Sequence, residues 1–246
     1  MPNKPVLVVR PLRNEDEFLK LLNQASIAFK YIPIMTIDPA LAGSDDYIQA
    51  VDCIDRLDQF DQVIFISANA AEIGLPIIAQ HWSEIPKNTH FLAVGQQTAD
   101  IFAAYNYPVS YPNHQPNTEG LLQELAQLQD LNAQSVLILR GGSGRQTLGD
   151  ELVKRGAMVT YAELYQRNIN AKYLAEAKNF VSQSSCLVVH SGELLQAMGS
   201  PLDKHIPLVV PSDRIAQLAQ QMGYQSVQIA ENALPSSMCE AVLQAL

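Results

Sequence analysis

The sequence has little that would support disulfides, metal sites or a membrane span. Its 246 residues include only three cysteines and five histidines. Cys53, Cys186 and Cys239 lie far apart without a C-x-x-C pattern, so we expect reduced, buried thiols rather than disulfides or metal ligands. No apolar run approaches the roughly 18 residues that span a bilayer, and the N-terminus has no signal-peptide core. We therefore expect a cytoplasmic protein that contains no metal.

The chain also has little positive charge. Lysine and arginine together number 16 against 25 aspartates and glutamates, which gives a net charge of −9. An acidic protein is a poor match for nucleic acid or for an anionic membrane surface, so we expect neither as a partner. If the ligand is itself an anion, the positive field that attracts it must be local, supplied by a few arginines and helix N-termini.

What the sequence does contain is a regular alternation of short apolar runs and amphipathic stretches. Most runs are nearly continuous apolar segments, as in strands that are covered on both faces. Between them, apolar residues follow helical spacing, which predicts an α/β fold with parallel sheets. Gly156 and Gly223 stand where a helix C-terminal glycine belongs. The expected strands are Val6–Arg10, Tyr31–Ile37, Gln62–Ser67, His90–Gly95, Val136–Gly141, Met158–Tyr165, Ser185–Ser191, Pro207–Ser212 and Ser226–Ala230.

The two halves of the chain repeat each other. Val6–Arg10 matches Val136–Arg140 at an offset of 140 − 10 = 130, and the same offset places Tyr31–Met35 on Tyr161–Tyr165. Two further matches follow in the same order: Gln62–Ser67 with Cys186–Ser191, and Gly95–Tyr107 with Ser212–Tyr224. Matches in a shared order indicate two related α/β units.

Small and hydroxyl-bearing residues stand at the carboxyl ends of the expected strands, together with two arginines. Ligands of open α/β sheets bind at these ends, near helix N-termini. Carboxylates are nearly absent there, and no nucleophile is paired with a base, so the pattern favours an anionic ligand over a hydrolase site. The residues that we expect to contact the ligand are Arg10, Ser67, Ala68, Asn69, Gly95, Thr98, Arg140, Gly141, Ser191 and Gly192.

Several of these residues have a plainer interpretation. Gly141–Arg145 follows a strand and fits an anion-binding nest, but an ordinary strand-to-helix turn explains it equally well. Arg10 and Arg140 bind either the ligand or loop carbonyls. Tyr161, Tyr165 and Arg167 lie on a polar-edged strand of the kind that passes between two units, and Tyr165 is either functional or a packing aromatic.

Taken together, the motifs resemble the uroporphyrinogen-III synthase family. The likeness spans nearly the whole chain, and it depends on the order and spacing of short motifs that are weak individually. They are Val-Leu-Val-Val-Arg-Pro (6–11), Val-Ile-Phe-Ile-Ser-Ala-Asn-Ala (63–70), Ala-Val-Gly-Gln-Gln-Thr-Ala (93–99), Glu-Gly-Leu-Leu (119–122), Val-Leu-Ile-Leu-Arg-Gly-Gly-Ser-Gly-Arg (136–145), Leu-Tyr-Gln-Arg (164–167) and Ala-Gln-Leu-Ala-Gln-Gln-Met-Gly-Tyr (216–224).

The resemblance implies two α/β domains that are interleaved in sequence. One would contain residues 1–34 and 168–246, and the other residues 38–163. Two extended connectors, at about residues 32–38 and 162–170, would join them. A two-stranded connector of this kind lets domains open and close around a ligand.

The resemblance also implies a substrate and a reaction. The substrate would be hydroxymethylbilane, a linear tetrapyrrole with eight carboxylates, supplied by hydroxymethylbilane synthase through transient contact. Loss of its hydroxyl, spiro attack and reclosure would invert the last pyrrole ring, with no cofactor and with control by geometry. Tyr165 matches the family tyrosine proposed to assist hydroxyl loss, while Ser67–Asn69, Thr98 and Ser191 match substrate-contacting positions. We expect a monomer.

A second class of function fits the same pattern. Two hinged α/β units also describe a small-anion binding protein or ligand sensor without catalytic activity. The two hypotheses differ in one measurable property, because only the enzyme would convert hydroxymethylbilane into the ring-inverted product.

Overall fold

The computed structural model describes residues 4–11, 16–142 and 146–246. Contacts within the chain divide it into two compact units. Unit 1 consists of Met1–Thr36 and Asn168–Leu246, and unit 2 consists of Ile37–Arg167. Both units contain parallel strands and helices, so the α/β class expected from the sequence is confirmed.

In the described part of the chain, each of the nine expected strands is present, and ten α-helices lie between and after them. The strands are β1 (Val6–Pro11), β2 (Phe29–Pro39), β3 (Gln62–Phe65), β4 (His90–Ala93), β5 (Ser135–Gly141), β6 (Met158–Ile169), β7 (Leu187–Val189), β8 (Leu208–Val210) and β9 (Val227–Ile229). The helices are α1 (Glu17–Gln24), α2 (Asp45–Asp55), α3 (Ala68–His81), α4 (Gln96–Ala99), α5 (Thr118–Glu124), α6 (Thr147–Lys154), α7 (Ala171–Phe180), α8 (Gly192–Met198), α9 (Asp213–Gln221) and α10 (Pro235–Ala245).

Unit 1 is built on the strand order β2-β1-β7-β8-β9, in which all pairs are parallel. The β1–β7 ladder pairs Leu7–Val9 with Leu187–Val189. Side chains of β1 alternate between two hydrophobic clusters: Leu7 and Val9 belong to one, and Val6 and Val8 to the other. Helices cover both faces, which is why the strand is apolar throughout rather than alternating with polar residues.

Unit 2 has the parallel strand order β6-β5-β3-β4. It also has two buried clusters, with Phe65 and Leu137 in one and Ile64 and Ile138 in the other. Beside β4, a single parallel bridge joins Leu92 to Ser110. Each strand therefore ends at the same edge of this sheet, which brings the residues after β3, β4 and β5 together.

The internal repeat extends to the register of the strand pairs. In unit 1, Val6 faces Phe29 and Pro11 faces Met35, with an irregularity in between. In unit 2 the pairs are Val136 with Val159 and Gly141 with Tyr165, again with an irregularity. Adding 130 to each unit 1 residue gives its unit 2 counterpart (6 + 130 = 136, 29 + 130 = 159, 11 + 130 = 141, 35 + 130 = 165). The repeat inferred from the sequence is confirmed.

Helix boundaries follow from local chemistry. Ser67 and Ser191 each precede a helix, and each hydroxyl accepts the backbone N–H three residues later, at 3.1 and 3.2 Å. Both serines therefore act as N-caps, which prefer short side chains that accept hydrogen bonds. Gly156 and Gly223 follow α6 and α9 with φ of +96° each, a conformation that favours glycine, as expected.

The cysteines are free and buried, as the sequence predicted. Burial raises the pKa of the Cys186 thiol to about 12, so the reactive thiolate form is disfavoured at neutral pH. Within the described ranges, no helix is long and apolar enough to cross a membrane. In the same ranges, no cluster of three or more histidine, cysteine or carboxylate side chains could hold a metal ion.

Candidate functional site

A cavity of about 300 Å³ opens in unit 2 at the carboxyl ends of β3 and β5. Its walls combine the end of each strand with the first residues of α5 and α6 and with part of β6. This is the edge at which parallel α/β sheets bind their ligands. The lining residues are Ile66, Thr118, Glu119, Ile138, Arg140, Gly141, Thr147, Leu148, Tyr161 and Arg167.

Arg140 supplies the cavity with a buried cationic side chain. Its guanidinium Nε donates to the Gly141 carbonyl at 3.1 Å and lies 3.7 Å from a carboxylate oxygen of Glu163. The guanidinium carbon is 4.9 Å from the centroid of the Tyr161 ring, within the range of a cation–π contact. Arg140 is 3% exposed, so these contacts fix its orientation before any ligand binds.

Tyr161 lines the same cavity, and its hydroxyl donates to the Gln146 carbonyl at 3.5 Å. Burial raises the pKa of this hydroxyl above its usual value, although the neighbouring Arg140 opposes the shift. The phenol is consequently protonated at neutral pH and can donate a hydrogen bond. A protonated phenol beside a guanidinium suits a ligand that carries carboxylates.

Tyr165 lies beneath the cavity wall rather than on its surface. Its side chain is 1% exposed and belongs to a hydrophobic cluster. The hydroxyl lies 3.0 Å from the Ser67 hydroxyl, and Nη2 of Arg167 donates to it at 3.3 Å. A Cβ added at Gly141 would approach the Tyr165 ring to 2.4 Å, so Gly141 is the residue that admits the ring at this point.

A β-bulge explains why Tyr165 faces this way. Ala162, Leu164 and Tyr165 all belong to the same buried cluster, although strict alternation would send Tyr165 to the other face. The irregularity between Arg140 and Gly141 in the β5–β6 pairing supplies the change of direction. The bulge therefore turns the Tyr165 hydroxyl toward Ser67.

The segment after β3 begins a long helix at the same edge. Ser67 caps α3, and Ala68 and Asn69 form its first turn. Helix geometry provides no carbonyl acceptor for the first backbone N–H groups, and the N-terminal end of a helix carries partial positive charge. Ser67, Ala68 and Asn69 thus offer donors suited to an anion, together with the hydroxyl contact to Tyr165.

The turn after β4 is packed more tightly than the sequence implied. Gly95 is buried, and a Cβ added there would lie 2.6 Å from the Cβ of Pro116. The Gly95 carbonyl accepts the N–H groups of Thr98 and Ala99, each at 3.1 Å. Thr98 is 3% exposed, so its side chain contributes to packing in this conformation.

Three of the expected ligand-contacting residues belong to unit 1. Arg10 is 8% exposed, and its Nη1 donates to Asp16 at 2.9 Å. The same Asp16 oxygen caps α1 by accepting the N–H of Phe18 at 3.0 Å. Ser191 caps α8, and Gly192 is the first residue of that helix. Arg10 is therefore engaged in holding the start of α1.

The structure thus divides the ligand-contacting residues that we expected from the sequence between the two units. Unit 2 brings together Arg140 and Gly141 at the cavity, with Ser67, Ala68 and Asn69 on the next strand end and Tyr165 bonded to Ser67. Of the proposed nest, Gly141 and Gly142 are described, whereas Ser143, Gly144 and Arg145 lie outside the described residues.

Sequence reasoning missed several side chains that line the cavity. Tyr161 and Arg167 were visible as polar residues on an otherwise apolar strand, but they received no role. Thr118 and Thr147 each begin a helix, and a hydroxyl residue in that position is a signal that strand ends alone do not capture. The packing of three strands and two helix starts decides that these side chains meet.

Comparison with known sequences gives one consistent result. The model of the family described as uroporphyrinogen-III synthase HemD matches residues 6–240. The uroporphyrinogen-III synthase of Escherichia coli K12 is 29% identical over 248 residues, which cover 96% of this chain and 99% of that protein. The uroporphyrinogen-III synthase of Salmonella typhimurium LT2 is 31% identical over 204 residues, which cover 78% of this chain and 82% of that protein.

Solved structures agree on the fold. A mutant uroporphyrinogen III synthase from the extremely thermophilic bacterium Thermus thermophilus has a TM-score of 0.68 at 13% identity, and the match covers 98% of each chain. Uroporphyrinogen-III synthetase from Helicobacter pylori 26695 has a TM-score of 0.61 at 16% identity, covering 99% of this chain and all of the other. At these identities the likeness concerns the backbone arrangement.

Proposed function

This chain belongs to the uroporphyrinogen-III synthase family, and we propose that the cavity of unit 2 holds part of its substrate, hydroxymethylbilane. The activity is that of a cyclising lyase in tetrapyrrole biosynthesis, which forms uroporphyrinogen III with inversion of the last pyrrole ring and loss of water. The observation that carries the assignment is the family match over residues 6–240.

The reaction needs control of geometry more than chemical activation. The hydroxyl of the terminal hydroxymethyl group takes up a proton and leaves as water, so that the remaining carbon becomes an electrophile conjugated to its pyrrole. The substituted carbon of the last ring bonds to that centre and forms a spiro intermediate. The bond from the spiro carbon to the methylene bridge of the preceding pyrrole then breaks. That bridge carbon bonds to the free α-carbon of the last ring, which loses its proton. Because the free bilane closes to the uninverted isomer, the protein must hold the chain in the geometry of the spiro route.

The substrate carboxylates give the cavity its ligand class. Arg140 and Arg167 are cationic, Tyr161 is a protonated phenol, and Thr118 and Thr147 carry hydroxyls. Charge-assisted hydrogen bonds to carboxylates are stronger than neutral ones. We propose that one or two acetate or propionate side chains of the bilane bind here.

We extend the proposal to the other residues that the sequence analysis expected to contact the ligand. Ser67, Ala68 and Asn69 would donate from the start of α3, and Gly141 would let the β5 end approach the substrate. Gly95 and Thr98 would contribute through the backbone, because Thr98 is buried. In unit 1, Ser191 and Gly192 would act in the same manner as Ser67 and Ala68, whereas Arg10 would hold the start of α1 without contacting the substrate.

For Tyr165 we propose a role in hydroxyl loss. Arg167 donates to the phenol oxygen, and the phenol and the Ser67 hydroxyl share a hydrogen bond in which either can donate. We propose the arrangement in which the phenol O–H bond points toward Ser67. Turning that O–H bond from Ser67 to a bound hydroxymethyl group would supply the proton with which water leaves. The burial of Tyr165 requires that substrate binding open the wall around Gly141. A positioned donor of this kind contributes about 10²–10⁴-fold.

Product analysis tests the function directly. Purified protein is added to freshly prepared hydroxymethylbilane, and the oxidised porphyrins are separated by isomer. We expect the type III isomer with the protein and the type I isomer with heat-denatured protein. Binding of the bilane without any type III product would overturn the assignment and favour the non-catalytic anion-binding alternative.

Three finer points belong to the same proposal. We infer transient contact with hydroxymethylbilane synthase, since a substrate that cyclises unaided is best transferred quickly. We also infer a monomer in a cytoplasmic location. Light scattering at micromolar concentration tests the oligomeric state, and product yield at limiting synthase tests the transfer.

A further inference from the structure

Glu124, the last residue of α5, binds a run of three backbone N–H groups. One carboxylate oxygen accepts from Asn113 at 2.8 Å and from His114 at 3.0 Å, and the other accepts from Gln115 at 2.9 Å. Successive N–H groups that converge on one point form an anion-binding concavity. Here the chain fills that concavity with its own carboxylate, which we call the Glu124 clamp.

The clamp is electrostatic in character. Partial desolvation opposes the charged form, but the backbone N–H groups of His114, Gln115 and Asn113, with the His114 ring, lower the pKa of Glu124 to about 2. The carboxylate is therefore ionised throughout the neutral range. The His114 side chain is 87% exposed, so the backbone contacts are the better defined part of the clamp.

The clamped residues determine the path of the chain into α5. The Gln115 carbonyl accepts the N–H of Asn117 at 2.8 Å and lies so close to Gly120 that a Cβ there would approach it to 1.9 Å. Pro116 packs against Gly95. The clamp thus fixes both the turn after β4 and the beginning of α5.

Thr118 and Glu119 are the first two residues of α5, and both line the cavity. We propose that Glu124 is a positioning residue for substrate binding, which sets the cavity wall at Thr118 and the Gly95 turn without touching the substrate. This inference rests on the proposed function, since it concerns the same cavity. It predicts that loss of the clamp weakens binding more than it slows the chemical steps.

The test compares Glu124→Gln with a matched control, Glu72→Gln, on the exposed face of α3 in the same unit. Both changes remove one negative charge and keep the side-chain length. Hydrogen bonds to charged groups are stronger than those to neutral ones, so for Glu124→Gln we expect KM for hydroxymethylbilane to rise about tenfold while kcat changes less than about twofold. Amide exchange at residues 113–115 should accelerate, and Glu72→Gln should match the wild type in both respects.

Each result has a defined meaning. A KM close to the wild-type value despite faster exchange at residues 113–115 would overturn the inference, and so would unchanged exchange. A wild-type protein that makes no type III isomer would refute the proposed function instead, and the exchange data would still report on the clamp. If Glu124→Gln fails to fold, Glu124→Asp keeps the charge but is too short to reach all three N–H groups, and we expect a smaller rise in KM.

Discussion

Arg10 and Arg140 occupy equivalent positions in the two units, yet their surroundings differ. Each is the second-to-last residue of the first strand of its repeat, immediately before the equivalent pairs Pro11–Met35 and Gly141–Tyr165. Arg10 is bound to Asp16, which caps α1, so its charge is neutralised within unit 1. Arg140 has a weaker contact, 3.7 Å from a half-exposed Glu163, and it lines a cavity. One arginine is therefore ion-paired at the start of α1, and the other lies in the wall of a cavity.

The second strand of each repeat, β2 in unit 1 and β6 in unit 2, also carries side chains with different partners. Tyr31 in unit 1 donates its hydroxyl to the Pro11 carbonyl at 2.9 Å, whereas its counterpart Tyr161 lines the cavity and donates to the Gln146 carbonyl at the longer distance of 3.5 Å. Beyond the shared bulge, Met35 packs in a hydrophobic cluster where unit 2 has Tyr165. The backbone repeats, but the polar side chains at the strand ends have different partners in the two units, and only those of unit 2 are among the described residues that line this cavity.

The largest expected effect tests the structural arginine. Arg10→Ala leaves a buried carboxylate without its partner, and breaking a buried ion pair from one side costs about 3–5 kcal/mol. We expect that loss in urea unfolding, with KM of the folded protein unchanged. Asp16→Asn, which keeps a cap for α1, should cost less. A normal unfolding curve combined with a raised KM would reverse the roles that we assign to the two arginines.

The second prediction concerns Tyr165. Tyr165→Phe should fold normally, because the ring packing persists, and should lose about one to three orders of magnitude in kcat. The remaining product should be mostly the type III isomer. Tyr31→Phe is the matched control in unit 1, and its kcat should not change. Undiminished turnover of Tyr165→Phe would reduce the tyrosine to a packing residue, as its burial alone would suggest.

A third, smaller effect is expected at Arg140. Arg140→Ala removes a charge-assisted contact to a substrate carboxylate, which is worth a KM increase of about tenfold. Its stability cost should be below that of Arg10→Ala, because Glu163 is solvated when left alone. Steady-state kinetics and urea unfolding on the same preparations measure both quantities. Equal destabilisation by the two substitutions, with no change in KM, would make the arginines equivalent after all.

The smallest effect is a difference in acid response. The Glu124 clamp holds the segment before α5, and the segment before α10 in unit 1 contains Asn232, whose side chain accepts the N–H of Leu234 at 2.9 Å. A carboxylate whose pKa is lowered from 4.5 to about 2 stabilises the fold above its ordinary pKa, and this contribution is lost as the pH falls through about 2. Amide exchange, corrected for its intrinsic pH dependence, should therefore accelerate at residues 113–115 below about pH 4. Exchange at residues 232–234 should not respond. Parallel responses in both units would show that general acid unfolding is the cause.

Much of the fold was accessible from the sequence because it depends on local patterns. Apolar runs identified all nine strands in the described ranges, and Gly156 and Gly223 marked helix ends correctly. Strand lengths were less accurate: β2 and β6 continue past their apolar cores as far as Pro39 and Ile169. Backbone hydrogen bonding extends a strand where hydrophobicity no longer indicates it.

The candidate site was accessible in part. The position of the strand ends follows from the α/β pattern, which is why Ser67, Arg140 and Gly141 were found. Their partners were not, since Thr118 lies 22 residues from Arg140 in sequence (140 − 118 = 22) and meets it through packing. The Glu124 clamp had no signal, because a glutamate at the end of a helix is ordinary until the backbone before the helix turns toward it.

The sequence by itself determined the α/β class, the repeat with its offset of 130 and the family to which the chain belongs. These depend on residue order and spacing, which are fully present in one dimension. Tertiary structure alone decided that Arg10 meets Asp16 while Arg140 faces a cavity, and that a bulge turns Tyr165 toward Ser67. The reason is that side-chain direction and burial depend on contacts between distant segments, and two arginines with nearly the same neighbours in sequence acquire different partners when the chain folds.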